Sequence, residues 1–209
     1  MTFPYKKTRS SLRKDASHME QEIEIEFKNL LNKSEYKHLK NTFSPYHKNH
    51  TIQTNFYFET STFQLKSKGA AFRVRSKDSK NIATLKLPNP DGPGLLEVHI
   101  RITEEELESW KENNILLPKE LKDYFVAFDI NPHDLKFGGS LKTIRDEYSY
   151  KDMLLVLDHS FYHGKEDYEL ELEADNEQLG KQVFDQILEE NAITIRNTPN
   201  KVARFYESL

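Results

Sequence analysis

The residues best able to do chemistry here are charged ones repeated at every second position. Glu24, Glu26 and Lys28 alternate with Ile23, Ile25 and Phe27 in EIEIEFK, residues 22–28. Arg73 and Arg75 flank Val74, Lys86 stands between Leu85 and Leu87, and Glu97, His99 and Arg101 interleave with Val98, Ile100 and Ile102. Thr143, Arg145 and Glu147 follow the same rule, Asp158 ends an apolar run, and Glu169, Glu171 and Glu173 alternate with Leu170 and Leu172. A period of two is that of a β-strand, with one apolar and one charged face. The bland reading is a sheet with one face on helices and the other in water. Against it stands the segregation of sign: the first and last segments are almost purely acidic and 71–75 is purely basic. Like charges on one strand face repel unless something of opposite sign sits between them. Carboxylates and cations around one space suit a divalent metal bound to a polyphosphate. Carboxylate oxygens suit Mg²⁺ or Mn²⁺, Arg forks grip phosphate oxygens in pairs, and Lys acts as a point charge.

The elements that must hold these faces can be read from the same pattern. Strands are expected at 22–28, 51–58, 70–76, 83–88, 95–102, 141–148, 153–158 and 168–173. The segment NPDGPG, 89–94, is a turn that makes 83–88 and 95–102 a hairpin, and Gly138-Gly139 and His163-Gly164 are placed near further turns. Tyr36, Leu39 and Phe43 have helical spacing, Thr103 with Glu106 forms a capping box, and Pro118 opens another helix. Asn176–Glu190 is a helix with one apolar face, and Thr198-Pro199 caps a last one. The result is one α+β domain dominated by antiparallel hairpins. Trp110 and the stretch Tyr124 to Phe128 read as packing between helix and sheet.

The 209 residues suffice for one domain with a real core, and 30 Lys plus Arg against 34 Asp plus Glu give no field that would favour nucleic acid or an anionic membrane. There is no Cys, so thiolate metal sites and thiol catalysis are excluded. No apolar stretch approaches a membrane span, and the cytoplasm is the default location. Residues 1–18 are basic, lack the apolar run of a secretory signal, and are set apart as a mobile extension; Ser17-His18-Met19 resembles a cloning junction, with a misassigned upstream start as the competing account. The domain proper is 19–209.

Glu24-x-Glu26-x-Lys28 resembles the ExExK signature of the CYTH superfamily, also called triphosphate tunnel metalloenzymes. The order of TNFYFET, AAFRVR, ATLKL, Arg145, Asp158, YELELEAD and Lys201 extends the likeness over roughly 20–206, closest to the bacterial YjbK-like branch. The resemblance implies an eight-stranded antiparallel β-barrel, a tunnel with charged faces inside and helices packed outside. It implies a metal-dependent hydrolase of a triphosphate, inorganic or organic, with Mg²⁺ or Mn²⁺ as cofactor and a small-molecule triphosphate as partner. By resemblance Glu24, Glu26, Asp158, Glu171 and Glu173 correspond to metal-binding carboxylates. Lys28, Arg73, Arg75, Lys86, Arg145 and Lys201 correspond to triphosphate-binding cations, with Lys28, Arg73 and Arg145 closest to the chemistry. Glu169 shares the face of Glu171 and Glu173 and leaves that register open; Glu97 and Arg101 are expected only to line the tunnel. His99 reads as a neutral neighbour of charges, and Lys201 has the alternative of an ordinary first-turn residue. Glu59 stands where the family often has Asp, which puts any metal or loop role there in doubt. The competing functions are adenylate cyclase, within the same superfamily, and a non-catalytic polyphosphate- or nucleotide-binding regulatory module.

Overall fold

The computed structural model describes residues 19–89 and 94–209; the expectations for 1–18 and for the centre of the 89–94 turn lie outside the described residues. Eight strands form a closed barrel: β1 (Met19–Leu31), β2 (His47–Thr60), β3 (Ala71–Lys77), β4 (Lys80–Pro88), β5 (Leu95–Ile102), β6 (Leu135–Tyr150), β7 (Met153–Tyr162) and β8 (Lys165–Ala174). Around the barrel the order is β1-β5-β4-β3-β2-β6-β7-β8, every pair antiparallel, and β1 closes it on β8. The closure divides β1: residues 19–24 pair with β5 and residues 25–31 with β8. Every strand thus has two neighbours in the barrel, with each half of β1 meeting one of its two.

Among the described residues six α-helices pack around it: α1 (Lys33–Thr42), α2 (Gln64–Ser67), α3 (Glu104–Lys111), α4 (Lys119–Ala127), α5 (Glu177–Glu190) and α6 (Lys201–Glu207). The apolar core is therefore between wall and helices and not inside the barrel. Trp110 and Phe125 pack on Phe58 and Phe72, with Tyr124 and Phe128 at the margin, as the sequence led us to expect. Leu39 and Ile187 cover Leu155, Leu170 and Leu172 on the other side. A third cluster, Tyr57, Leu141, Tyr162 and Phe205, seats α6. Each buried aliphatic side chain contributes about 1.5–3 kcal/mol, so these shells hold the strands in the parity the charged face needs.

Local signals explain most boundaries. Capping boxes are present at Asn32/Glu35 and at Thr103/Glu106, and Asn176 caps α5. Two expectations fail. Gly138-Gly139 is inside β6 and not near a turn: Tyr57 pairs with Gly139 and Phe58 with Phe137, so Gly138 is the extra residue of a β-bulge. Thr198 does not cap the last helix. Its hydroxyl accepts the backbone N–H of Leu30, and α6 begins at Lys201 behind Asn200 with no side-chain cap. β2 and β6 also run beyond 51–58 and 141–148, since residues 47–50 and 59–60 of β2 pair with the two ends of β6.

Candidate functional site

The barrel interior is a cavity of about 470 Å³. Alternation fixes which side chains reach it, and Glu26, Lys28, Arg73, Arg75, Lys86, Glu97, His99, Arg145, Asp158, Glu171, Glu173 and Lys201 all line it. Glu24 lies on β1 opposite Leu95; its side chain lies outside the described residues. Arg101 departs from expectation. It is exposed near the end of β5, opposite Ile82, and does not line the cavity.

One wall carries two guanidiniums, Arg73 and Arg75. Among the described residues no carboxylate bonds Arg73 or Arg75; the Nε of Arg73 is buried without a partner, and Arg75 Nε donates only to the Asn55 side-chain oxygen at 3.3 Å. Burial pushes the Arg75 guanidinium down to about 9, and Arg73 and Arg145 add repulsion. Desolvated, mutually repelling guanidiniums gain from an anion placed between them.

The opposite wall is acidic and already paired. Arg145 Nε donates to Asp158 at 2.8 Å and its Nη2 reaches Asp158 at 2.7 Å and Glu171 at 2.6 Å. Lys201 Nζ lies 2.8 Å from Asp158 and 3.0 Å from Glu169, and also bonds Glu171. Burial opposes ionisation of Glu171, but Lys201 and Arg145 outweigh it and hold the carboxyl well below its usual range. Burial likewise works against the charges of Lys201 and Arg145, and the facing carboxylates raise both pKa values well above the ordinary. Burial pushes Glu169 up, helped by the neighbouring Glu171 and opposed by Lys201 and Arg204. Arg204, unread in the sequence, pairs with Glu169 and with Asp167 at 3.0 Å; its three-residue spacing from Lys201 on a helix was the available signal. Elsewhere Lys28 pairs with Glu26 and Asn200, and Lys86 with Glu97. His99 bonds Thr84 at 3.0 Å and approaches Glu97 at 3.6 Å.

Glu59 has a structural task. Its carboxylate accepts the backbone N–H groups of Thr60, Leu65 and Lys66 at 2.7, 3.0 and 3.0 Å, satisfying orphan donors at the start of α2.

Could this interior hold a metal? Its acidic donors are all hard oxygens, and Glu26 and Glu173 stand opposite each other across the β1–β8 closure with Glu24 two residues along β1. That donor set fits Mg²⁺ or Mn²⁺. Among the described residues no three His, Asp or Glu side chains converge as a metal site, and Arg145 pairs with Asp158 and Glu171.

Comparison with known proteins agrees with this geometry. The CYTH domain profile matches residues 22–206. The Bacillus subtilis (strain 168) protein named "Putative triphosphatase YjbK" is 42% identical over 191 residues, 90% of this chain and 97% of that protein. A crystal structure from Bacillus halodurans, described as a "putative adenylate cyclase", is 38% identical with a TM-score of 0.82, covering 89% of this chain and 98% of that one. The Hippeastrum protein HpAC1, described as having a dominant triphosphatase activity, shares the fold at 23% identity and a TM-score of 0.72, over 88% and 96% of the two chains.

Proposed function

The chain belongs to the CYTH domain family, and from that membership we propose that it is a metal-dependent triphosphatase that removes the terminal phosphate of a small triphosphate. What supports the reading is the pair of guanidiniums, Arg73 and Arg75, which have no carboxylate partner among the described residues and share the tunnel with a wall of carboxylates. Arg73, Arg75, Lys86 and Lys28 hold the phosphate chain, with Arg145 and Lys201 reaching it from the acidic side. Lys28, Arg73 and Arg145 meet the charge that develops on the transferring phosphoryl group. Glu24, Glu26, Asp158, Glu171 and Glu173 would hold Mg²⁺ or Mn²⁺. Such an ion, when bound, neutralises phosphate charge and makes a bound water more acidic. Water oxygen bonds to the terminal phosphorus as the bridging P–O bond breaks, and the departing phosphate oxygen leaves toward the cations. There is no Cys to form a phosphocysteine intermediate. The name of the 42%-identical relative supports the same reaction class.

A second reading, adenylate cyclase, is favoured by the description of the 38%-identical structure. That reaction forms a bond from the ribose 3′-oxygen to the α-phosphorus and expels pyrophosphate. The decisive assay offers tripolyphosphate, thiamine triphosphate and ATP with Mg²⁺ or Mn²⁺ and analyses the products. Orthophosphate from tripolyphosphate is the expected result. Cyclic nucleotide and pyrophosphate from ATP would establish the cyclase. Binding without turnover of any of the three would establish a regulatory module.

A further inference from the structure

The two sets of cations differ in one respect that the family pattern does not contain. Among the described residues no carboxylate pairs with Arg73 or Arg75, whereas Arg145 and Lys201 each contact both Asp158 and Glu171. Asp158 is 0% exposed and its two oxygens are both engaged. A divalent cation approaching Asp158 and Glu171 from solvent therefore meets no free carboxylate. It must displace a guanidinium or an ammonium group, and it must do so where charge is poorly solvated.

We propose that Arg145 and Lys201 are internal counter-cations that keep the Asp158–Glu171 wall closed to metal until a triphosphate draws them away. This rests on the triphosphatase reading of the same site and adds an order to it. Arg73 and Arg75 can take the polyanion first, since no ion pair must break for them. The anion then offers Arg145 and Lys201 new oxygens, and the carboxylates they leave become ligands. Metal at this wall and triphosphate thus promote each other's binding, and by linkage the effect is reciprocal. The arrangement would keep the Asp158–Glu171 wall from filling with metal when no substrate is present.

The test measures Mn²⁺ binding to the triphosphate-free full chain by the electron paramagnetic resonance of the free ion. In Lys201→Met the freed carboxylates should bind Mn²⁺ at least tenfold more tightly than in wild type. Arg73→Met removes the same charge from the opposite wall and should change Mn²⁺ affinity less than threefold. Lys201→Gln, with circular dichroism on every variant, guards against a misfolded Met variant. Unchanged or weaker binding in both Lys201 variants overturns the proposal. Equal tightening in Arg73→Met also overturns it, by reducing the effect to net charge. Phosphate release from tripolyphosphate by wild type, measured in parallel, tests the triphosphatase reading separately, because the Mn²⁺ titration needs no turnover.

Discussion

Glu26 stands directly opposite Glu173 where β1 and β8 close the barrel. Two carboxylates so placed repel, an effect that Lys28, paired with Glu26, offsets in part and a divalent cation would offset further. The seam that closes the fold is thus also a place where the fold gains from a metal.

That relationship predicts a metal effect on stability with no reference to catalysis. Saturating Mg²⁺ or Mn²⁺ should raise the melting temperature; at 100 times its dissociation constant an ion adds about 2.7 kcal/mol. Glu173→Gln should lose most of the metal-induced rise in melting temperature. Thermal melts with and without the ion check both parts. A wild-type protein indifferent to either metal would remove the assignment of Glu26 and Glu173.

Arg73 and Arg145 should separate in both kinetics and stability. Arg73 has no ion pair to lose among the described residues, so Arg73→Ala should leave the melting temperature nearly unchanged. It removes a contact already made with bound substrate, so KM should rise more than kcat falls. Arg145→Ala leaves Asp158 and Glu171 buried without that partner, which typically costs about 3–5 kcal/mol. Denaturant midpoints and steady-state kinetics on tripolyphosphate read the contrast.

The contents of the tunnel were legible because strand parity is fixed by the backbone. Once 71–75 is a strand, Arg73 and Arg75 share a face, and the same holds for Glu169, Glu171 and Glu173. The pairing of those charges was not legible. It depends on β1 lying between β5 and β8, and on α6 delivering Lys201 and Arg204 onto Glu169 and Glu171. Arg101 obeys the parity and still misses the cavity, because alternation says which face and not how far along the barrel. Gly138-Gly139 read as a turn since glycine marks turns and bulges alike.

Glu169 and Glu171, two residues apart on β8, should give opposite pH dependence of stability. The Glu171 carboxyl is held well below its unfolded value of 4.5, so the unfolded chain binds more protons in acid. Its contribution is present above about pH 4.5 and is lost as pH falls through the lower folded pKa. Glu169 is raised to about 7, so between about 4.5 and 7 the folded chain binds the extra proton, and stability falls as pH rises. Glu171→Gln should flatten the acid limb of the stability profile, and Glu169→Gln the limb between pH 5 and 7. Urea titrations at pH 3, 5 and 8 check the signs.

The last prediction concerns how α6 reaches the tunnel. Gly138 is the extra residue of the β6 bulge, and a Cβ there would lie 2.8 and 2.9 Å from Tyr206 Cε1 and Cζ. At Gly139, with φ +127°, a Cβ would lie 2.8 Å from Phe205 Cζ. These glycines form the notch that lets the aromatic face of α6 sit against the wall, which sets Lys201 beside Asp158. Gly138→Ala should therefore cost on the order of 1–3 kcal/mol by overpacking and raise KM for tripolyphosphate as Lys201 shifts. Tyr206→Ala in the same chain removes the clash, so the double variant should be more stable than the two single effects predict, by about 0.5–3 kcal/mol. Gly139→Ala with Phe205→Ala should recover much less, because the positive φ remains strained for alanine whatever space is cleared. Melts and KM values for both double-mutant cycles decide it; full additivity in the Gly138–Tyr206 cycle would mean that the notch does not seat the helix.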